Sequence, residues 1–194
     1  ALPFWFQVLR NAKDGGIIKL LEHYAGHSRD SDDFLIGGQE EVGHQLREAA
    51  SRNPSRFLNM LAMKWLYIPE CFREDIMDGI AHYLAYRYGN LMADKTWRAI
   101  EEPDAKELAS HILDELERHY SYWQLNRSAS NALKSCAYVI QDTSNAARLV
   151  FLAIDYLRYK ERPYTNGPSE RLRGEGINMV TGNIAESLII RAHV

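Results

Sequence analysis

The segments ASHILDEL (residues 109–116), ARLVFLAI (147–154) and AESLIIRA (185–192) decide the fold class of this chain. Each places apolar residues at positions i, i+3, i+4 and i+7, which lie on one face of an α-helix. The second segment begins 38 residues after the first, and the third begins 38 residues after the second. A helical pattern with such a period is typical of stacked helical hairpins, in which neighbouring repeats bury each apolar face. The sequence therefore predicts an all-α fold arranged as an irregular α-solenoid of stacked antiparallel hairpins.

The repeat is incomplete in its second copy. A helix predicted over residues 128–140 should recur 38 residues later, where glycines and a proline oppose a regular helix: Gly167, Pro168, Gly174 and Gly176. Either the second hairpin has lost its partner helix, or the helices alternate up and down and the second shift is partly coincidence. We favour the first interpretation. The regular repeat region is then 103–194, within a single helical-repeat segment that covers residues 1–194.

Local start and stop signals predict roughly eight or nine helices in all. Asn53 followed by Pro54 is a helix start, because asparagine caps an N-terminus and proline fits the first helical turn. Asp104 with Glu107 has capping-box spacing. Gly89 is the predicted left-handed stop of one helix, and residues 91–102 are expected to form a linker. The predicted helices are 2–13, 17–27, 39–51, 54–65, 69–88, 104–120, 128–140, 143–159 and a last one that includes 185–192. Their predicted inward residues include Phe57, Leu58, Leu61 and Trp65 on 54–65, Phe72, Ile76, Ile80, Tyr83 and Leu84 on 69–88, and Ala129, Ala132, Leu133 and Cys136 on 128–140.

Composition excludes several classes of protein. The chain is 46% hydrophobic and 25% charged, as in ordinary soluble proteins. A net charge of -3 is not the basic footprint of a nucleic-acid-binding protein, so nucleic acid is not an expected partner. The two cysteines lack CxxC spacing and indicate neither zinc nor a disulfide framework, which fits a reducing, cytoplasmic location. No apolar window is long enough for a membrane span.

The two ends of the chain suggest a piece of a longer protein. The sequence does not begin with methionine, and the third copy of the pattern reaches Val194 without a helix stop signal. We therefore expect this chain to be a fragment of a longer protein, and a catalytic domain outside these residues stays open.

The sequence gives little support for a metal site or a nucleotide site. No GxxxxGK[ST] run is present, so a P-loop within these residues is excluded. Glu41 and His44 form one ExxH element, whereas di-iron bundles use two such elements and further carboxylates. Two other Glu–His pairs, at 107/111 and 115/119, are interpreted as surface side-chain contacts one helical turn apart. Both cysteines, Cys71 and Cys136, are interpreted as small core residues.

The irregular stretch 161–179 carries the candidate binding residues. Arg162, Arg171 and Arg173 gather there beside Tyr164, and long loops on helical scaffolds often carry function. These arginines are suited to clamp a phosphate or an acidic partner. The alternative is a solvated linker in which they pair with nearby glutamates, and this alternative is the stronger of the two.

Two sets of motifs resemble a known protein group. The first is NPSRF (residues 53–57) with IP (68–69) and DGI (78–80), and the second is GINMVTGNIAE (176–186). Both resemble the HEAT-like helical-repeat region of large bacterial STAND-type NTPases, some relatives of which act in anti-phage defence. The resemblance implies a sensor or scaffold arm outside the nucleotide-binding core. Thr181 departs from the basic residue expected there, which weakens an anion-binding role for this corner.

The sequence thus predicts a non-catalytic scaffold or sensor segment that binds a protein partner through shape recognition and needs no cofactor. One alternative is a small all-α metal-dependent enzyme, with Glu41, His44 and the arginine-bearing loop as its site. A nucleic-acid-binding solenoid is the third possibility.

Overall fold

The computed structural model describes residues 9, 11–26, 38–124, 126–157 and 180–192. Within them the regular structure is helical, with no strand, so the all-α prediction is confirmed. A 3₁₀ turn over Trp65–Tyr67 follows the third helix. The α-helices are α1 Asp14–Tyr24, α2 Gln39–Arg52, α3 Pro54–Lys64, α4 Glu70–Tyr88, α5 Ala105–Arg118, α6 Tyr120–Trp123, α7 Arg127–Ala137, α8 Thr143–Leu157 and α9 Val180–Ala192.

Side-chain caps fix the start of two helices, and the sequence predicts one of these caps, at Asp104. Asp104 accepts hydrogen bonds from the backbone N–H groups of Lys106 and Glu107, both at 2.9 Å, so α5 begins at the predicted capping residue. Asn126 accepts in the same way from the N–H of Ser128 at the start of α7. Such caps satisfy helix donors that have no partner inside the helix.

Helix α3 begins where predicted, but its cap comes from a distant part of the chain. The side chain of Asn53 makes no capping hydrogen bond to the helix. Instead, the carboxylate of Glu101 accepts from the N–H groups of Ser55 and Arg56. A negative charge at a helix N-terminus is stabilised by the helix dipole as well as by the hydrogen bonds.

The chain divides into two compact units. The first unit contains residues 1–83 and 93–102, and the second contains 84–92 and 103–194. Helix α4 therefore begins in the first unit, and its last residues belong to the second.

The first unit is built on α2, α3 and the first part of α4. The predicted inward residues of α4 are all fully buried: Phe72, Ile76, Ile80 and Tyr83. Gly79 lets α2 and α4 approach closely, because a side chain there would meet the carbonyl oxygen of Arg47 and the Cβ of Ala50. Trp65 is only half-buried, with the Arg73 guanidinium 4.2 Å above its ring, so its predicted place in the core is wrong.

Residues 93–102 contain a turn but no helix, as predicted for a linker, and specific contacts hold them in the first unit. The indole Nε1 of Trp97 donates to the hydroxyl of Ser51 at 3.0 Å, and Trp97 itself is buried. The N–H of Ile100 donates to the carbonyl of Arg52 at 2.7 Å. These contacts position Glu101 at the start of α3.

In the second unit, α5 packs against α7 and α8, and α9 packs against α7 and α8. The first copy of the apolar pattern on α5 is fully buried, as predicted: Ala109, Ile112, Leu113 and Leu116. The predicted inward residues of α7 are also fully buried: Ala129, Ala132, Leu133 and Cys136. The Sγ atom of Cys136 lies 4.0 Å from the carbonyl oxygen of Ala109, because small side chains permit a close helix contact.

The second and third copies of the pattern do not face the core, which corrects the sequence prediction. On α8 the buried residues are Ala146, Leu149, Leu152, Ala153 and Tyr156, whereas Phe151 is 70% exposed. On α9 the buried residues include Ile184 and Ser187, and Ile189 is 59% exposed. Both helices have apolar residues around most of their circumference, so the pattern predicted a helix correctly without showing which side is buried.

Gly89 does not provide the left-handed helix stop predicted for it. Among the described residues, only Gly26 has a positive φ, of 80°. Gly89 is instead required for space, since a Cβ there would lie 2.8 Å from the ring carbon Cε2 of Tyr138.

Candidate interaction face on helix α8

Helix α8 presents a second apolar stripe away from its buried side. The stripe consists of Ala147, Val150, Phe151 and Ile154, here called the α8 outer face. Phe151 is 70% exposed and Ile154 is 45% exposed, while Ala147 is exposed and Val150 is half-buried. Single exposed apolar residues are common on protein surfaces, but four at helical spacing form a contiguous stripe. Helices with two apolar faces are usually covered on both.

Arg148 holds the N-terminal half of α8 against α5. Its guanidinium lies 2.6 Å from a carboxylate oxygen of Asp114 and 2.7 Å from one of Glu117. The hydrogen bonds that Arg148 donates to Glu117, and then those to Asp114, raise the pKa of Arg148 above its usual value. Arg148 is therefore a paired cation, and its charge is compensated within the unit.

Asp155 holds the C-terminal half of α8 against α6. The Tyr120 hydroxyl donates a hydrogen bond to its carboxylate. The Tyr120 ring also lies 5.8 Å from the ring of Tyr156, which is fully buried. Burial, followed by the proximity of Tyr120 and Asp155, raises the pKa of the Tyr156 hydroxyl well above its usual value. The two halves of α8 are thus anchored, and its outer face is presented by a fixed helix.

One predicted surface pair lies in the interior. Glu115 is 1% exposed, with Arg118 Nη1 3.4 Å and His119 Nε2 3.8 Å from its carboxylate oxygens. The prediction of a surface Glu115–His119 contact is therefore wrong for the glutamate. The other pair, Glu107 and His111, is exposed as predicted.

The residues that the structure describes contain no cluster of metal ligands of the kind that the metal-enzyme alternative requires. Glu41 accepts a hydrogen bond from the amide nitrogen of Gln45 at 2.9 Å, and His44 is exposed. Nearby carboxylates on α4 face a guanidinium, since Arg47 lies 2.6 Å from Asp75. Across the described part of the chain, no three histidine, cysteine or acidic side chains are placed to hold a metal ion.

The candidate binding residues of the irregular loop, Arg162, Tyr164, Arg171 and Arg173, lie outside the described residues. Their role as an anion or partner clamp stays a prediction. Cys71 is exposed, which corrects its interpretation as a core residue, whereas Cys136 is buried as predicted.

A second apolar surface had no signal in the sequence pattern. At the corner between α3 and α4, Leu66 is 87% exposed, and Met63 and Tyr67 are also largely exposed. The α8 outer face did have a signal, since its four residues form the second copy of the repeat pattern, but the pattern predicted them on the buried side.

None of the described helices combines the length and the hydropathy that crossing a membrane requires. Comparison of the chain with protein-family models, with curated proteins and with solved structures found no match.

Proposed function

We propose that this chain is a non-catalytic helical-repeat scaffold or sensor segment that mediates protein–protein interaction, with the α8 outer face as its contact surface. The observation that carries the proposal is the exposure of Phe151 on a helix whose opposite side is already buried. Exposed apolar stripes of this kind mark interaction sites on soluble proteins.

The free energy available at this surface is appreciable. A phenylalanine side chain buries about 150–250 Å². At 70% exposure, Phe151 would bring roughly 100–175 Å² into a contact. At about 25 cal/mol per Å², complete burial of this area contributes roughly 2.5–4.4 kcal/mol as an upper bound, before the costs of association. One aromatic anchor of this size is typical of the residues that dominate protein interfaces.

The proposal extends to architecture and setting. Successive contacts of α5 with α7 and α8, and of α9 with α7 and α8, support an irregular HEAT-like α-solenoid. The motifs that resemble STAND-type NTPases support an arm of a larger cytoplasmic bacterial protein whose nucleotide-binding core lies elsewhere. Recognition in such an arm works through the shape of the presented surface, without a cofactor.

Photo-crosslinking tests the contact surface directly. The photoreactive amino acid p-benzoylphenylalanine replaces Phe151 in the protein as it is made in its own cells, and replaces exposed Lys19 on α1 in a matched control. We expect a discrete covalent adduct with another polypeptide at position 151, and none at position 19. The mass of the adduct separates a second copy from a different protein. Equal labelling at the two positions would overturn the proposal.

A further inference from the structure

We infer that the occupant of the α8 outer face is the same face of a second copy of this chain, packed antiparallel about a twofold axis. The inference rests on the proposed function, because it names the partner for the same surface. Three properties of the face carry it: its distribution of small and large side chains, its charges and its anchoring.

The small and large residues of the outer face are self-complementary. Ala147 lies at its N-terminal end, and Ile154 lies at its C-terminal end, with Val150 and Phe151 between them. An antiparallel pair centred on this stripe places Ala147 opposite Ile154 and Val150 opposite Phe151. Small residues then receive large ones, as in well-packed helix pairs. A parallel pair would place the two Phe151 rings against each other and leave a gap between the two alanines.

The charges on α8 do not oppose self-association. With the twofold axis between residues 150 and 151, each charged side chain of α8 lies several residues along the helix from its own copy, and Arg148 of one copy lies nearer to the oppositely charged Asp155 of the other. Between residues 143 and 157, the charged side chains are Arg148 and Asp155. Arg148 is paired with Asp114 and Glu117, and Asp155 accepts the hydrogen bond of the Tyr120 hydroxyl. Because Arg148 is already paired with two carboxylates, α8 offers no free cation to a nucleic acid or an acidic peptide, and the residues of its outer face are all apolar.

The anchoring of α8 lowers the cost of docking. Contacts at Arg148 and Asp155 hold both halves of the helix within the unit, so little additional ordering of the backbone is needed on binding. The outer face nevertheless has four residues, whereas each partner of a standard stable interface contributes roughly 20–30. We therefore expect a reversible dimer with a dissociation constant on the order of 1–100 µM.

Sedimentation velocity of the 194-residue chain, across concentrations that span this range, measures the association. Wild type should pass from monomer to dimer as its concentration rises. Phe151→Ala should raise the dissociation constant at least about tenfold, and Phe151→Asp should leave the chain monomeric. The matched control is Leu66→Asp, which places the same charge on another exposed apolar residue and should dimerise like wild type. Circular dichroism checks that each variant folds.

Two outcomes of this experiment overturn the inference: a wild type that stays monomeric at the highest concentration, or a Leu66→Asp variant that loses the dimer as Phe151→Asp does. A monomeric wild type leaves the proposed function standing if position 151 crosslinks to a different protein. If the wild type is monomeric and position 151 crosslinks to nothing, the inference and the proposed function both fail.

Disulfide trapping tests the antiparallel register. In a Cys71→Ser background, which removes the exposed native thiol, single variants Ala147→Cys and Ile154→Cys are prepared and mixed under mild oxidation. Disulfides need a Cβ–Cβ separation of about 3.5–4.5 Å, so only residues that face each other link efficiently. The mixture should form the 147–154 heterodimer in preference to either homodimer. Preferential homodimers would show a parallel contact and contradict the inferred arrangement.

Discussion

Replacing Gly79 by alanine should destabilise the first unit, even though alanine is ordinarily the better helix residue. Gly79 lies within α4, where a Cβ would stand 2.6 Å from the Cβ of Ala50 and closer still to the carbonyl oxygen of Arg47. Carbon atoms in contact normally lie about 3.5–4.0 Å apart. The clash involves backbone and a methyl group, neither of which can rotate away.

Two effects of opposite sign set the magnitude. Helix propensity favours alanine over glycine by about 1 kcal/mol. Relief of the clash requires α2 and α4 to separate by roughly 1 Å, and overpacking of this kind costs about 1–3 kcal/mol, occasionally more. Because the contact is between backbone elements, the cost should lie near the upper end. We expect the free energy of unfolding to fall by about 1–2 kcal/mol.

Urea denaturation followed by circular dichroism measures this change. Gly15→Ala is the matched control, since Gly15 also lies in a helix but has no atom within 4 Å of the position that an alanine methyl group would take. There the propensity term acts alone, and we expect stabilisation of about 0.5–1 kcal/mol. The same substitution should therefore change stability in opposite directions at the two glycines.

The reasoning fails if Gly79→Ala is as stable as wild type with an unchanged dependence on urea concentration. A double-mutant cycle with Ala50→Gly sharpens the test, because removal of the Ala50 methyl should recover part of the loss. Strict additivity of the two substitutions would show that these two methyl positions do not meet.

Three further predictions concern single residues. Glu101→Ala should lower the free energy of unfolding by about 1–2 kcal/mol in urea denaturation, because α3 loses its cap. An effect no larger than that of Glu22→Ala, at an exposed glutamate, would contradict this role. Burial lowers the pKa of His82, although the nearby Asp78 opposes the shift. The stability that follows from this lowered pKa is complete above the ordinary histidine pKa of about 6.5 and is lost as the pH falls below that value. The stability difference between wild type and His82→Gln, measured by urea denaturation, should shrink from pH 7.5 to pH 5, and a constant difference would refute the shift. Thiol labelling with a chromogenic disulfide should modify Cys71 at once and Cys136 only after unfolding, because Cys136 is buried. Rapid labelling of both cysteines would contradict the burial of Cys136.

Helix positions were predictable from the sequence because they depend on neighbouring residues. Asp104 caps α5 through N–H groups two and three residues away, so its spacing alone indicated the helix start. The side of a helix that faces the core depends on what packs against it. On α5, the apolar residues are confined to one stripe that marks the buried side, although Glu115 beside it is also buried. Leu149 and Phe151 on α8 are equally apolar, and only the neighbouring helices distinguish them.

Contacts between distant residues could not be predicted in this way. Glu101 caps α3 from 45 and 46 residues away, and Trp97 reaches Ser51 over 46 residues. Nothing in the sequence around Glu101 distinguishes it from other surface glutamates. The candidate face on α8 follows the same rule, because its residues were found by their pattern while their exposure is set by the packing of the whole unit.

The division of the chain between its units also limits how the protein can be cut. The first unit needs residues 93–102, which follow a stretch of the second unit in the sequence. A fragment that stops at residue 83 would lose both Glu101 and Trp97, leaving α3 uncapped and the Ser51 hydroxyl without its indole donor. A fragment that starts at residue 103 would lose Gly89, against which the Tyr138 ring packs. No single cleavage or recombination event can thus leave both units complete, because a cut after residue 83 takes 93–102 from the first unit and a cut after residue 102 takes 84–92 from the second. We therefore expect the two units to be inherited together.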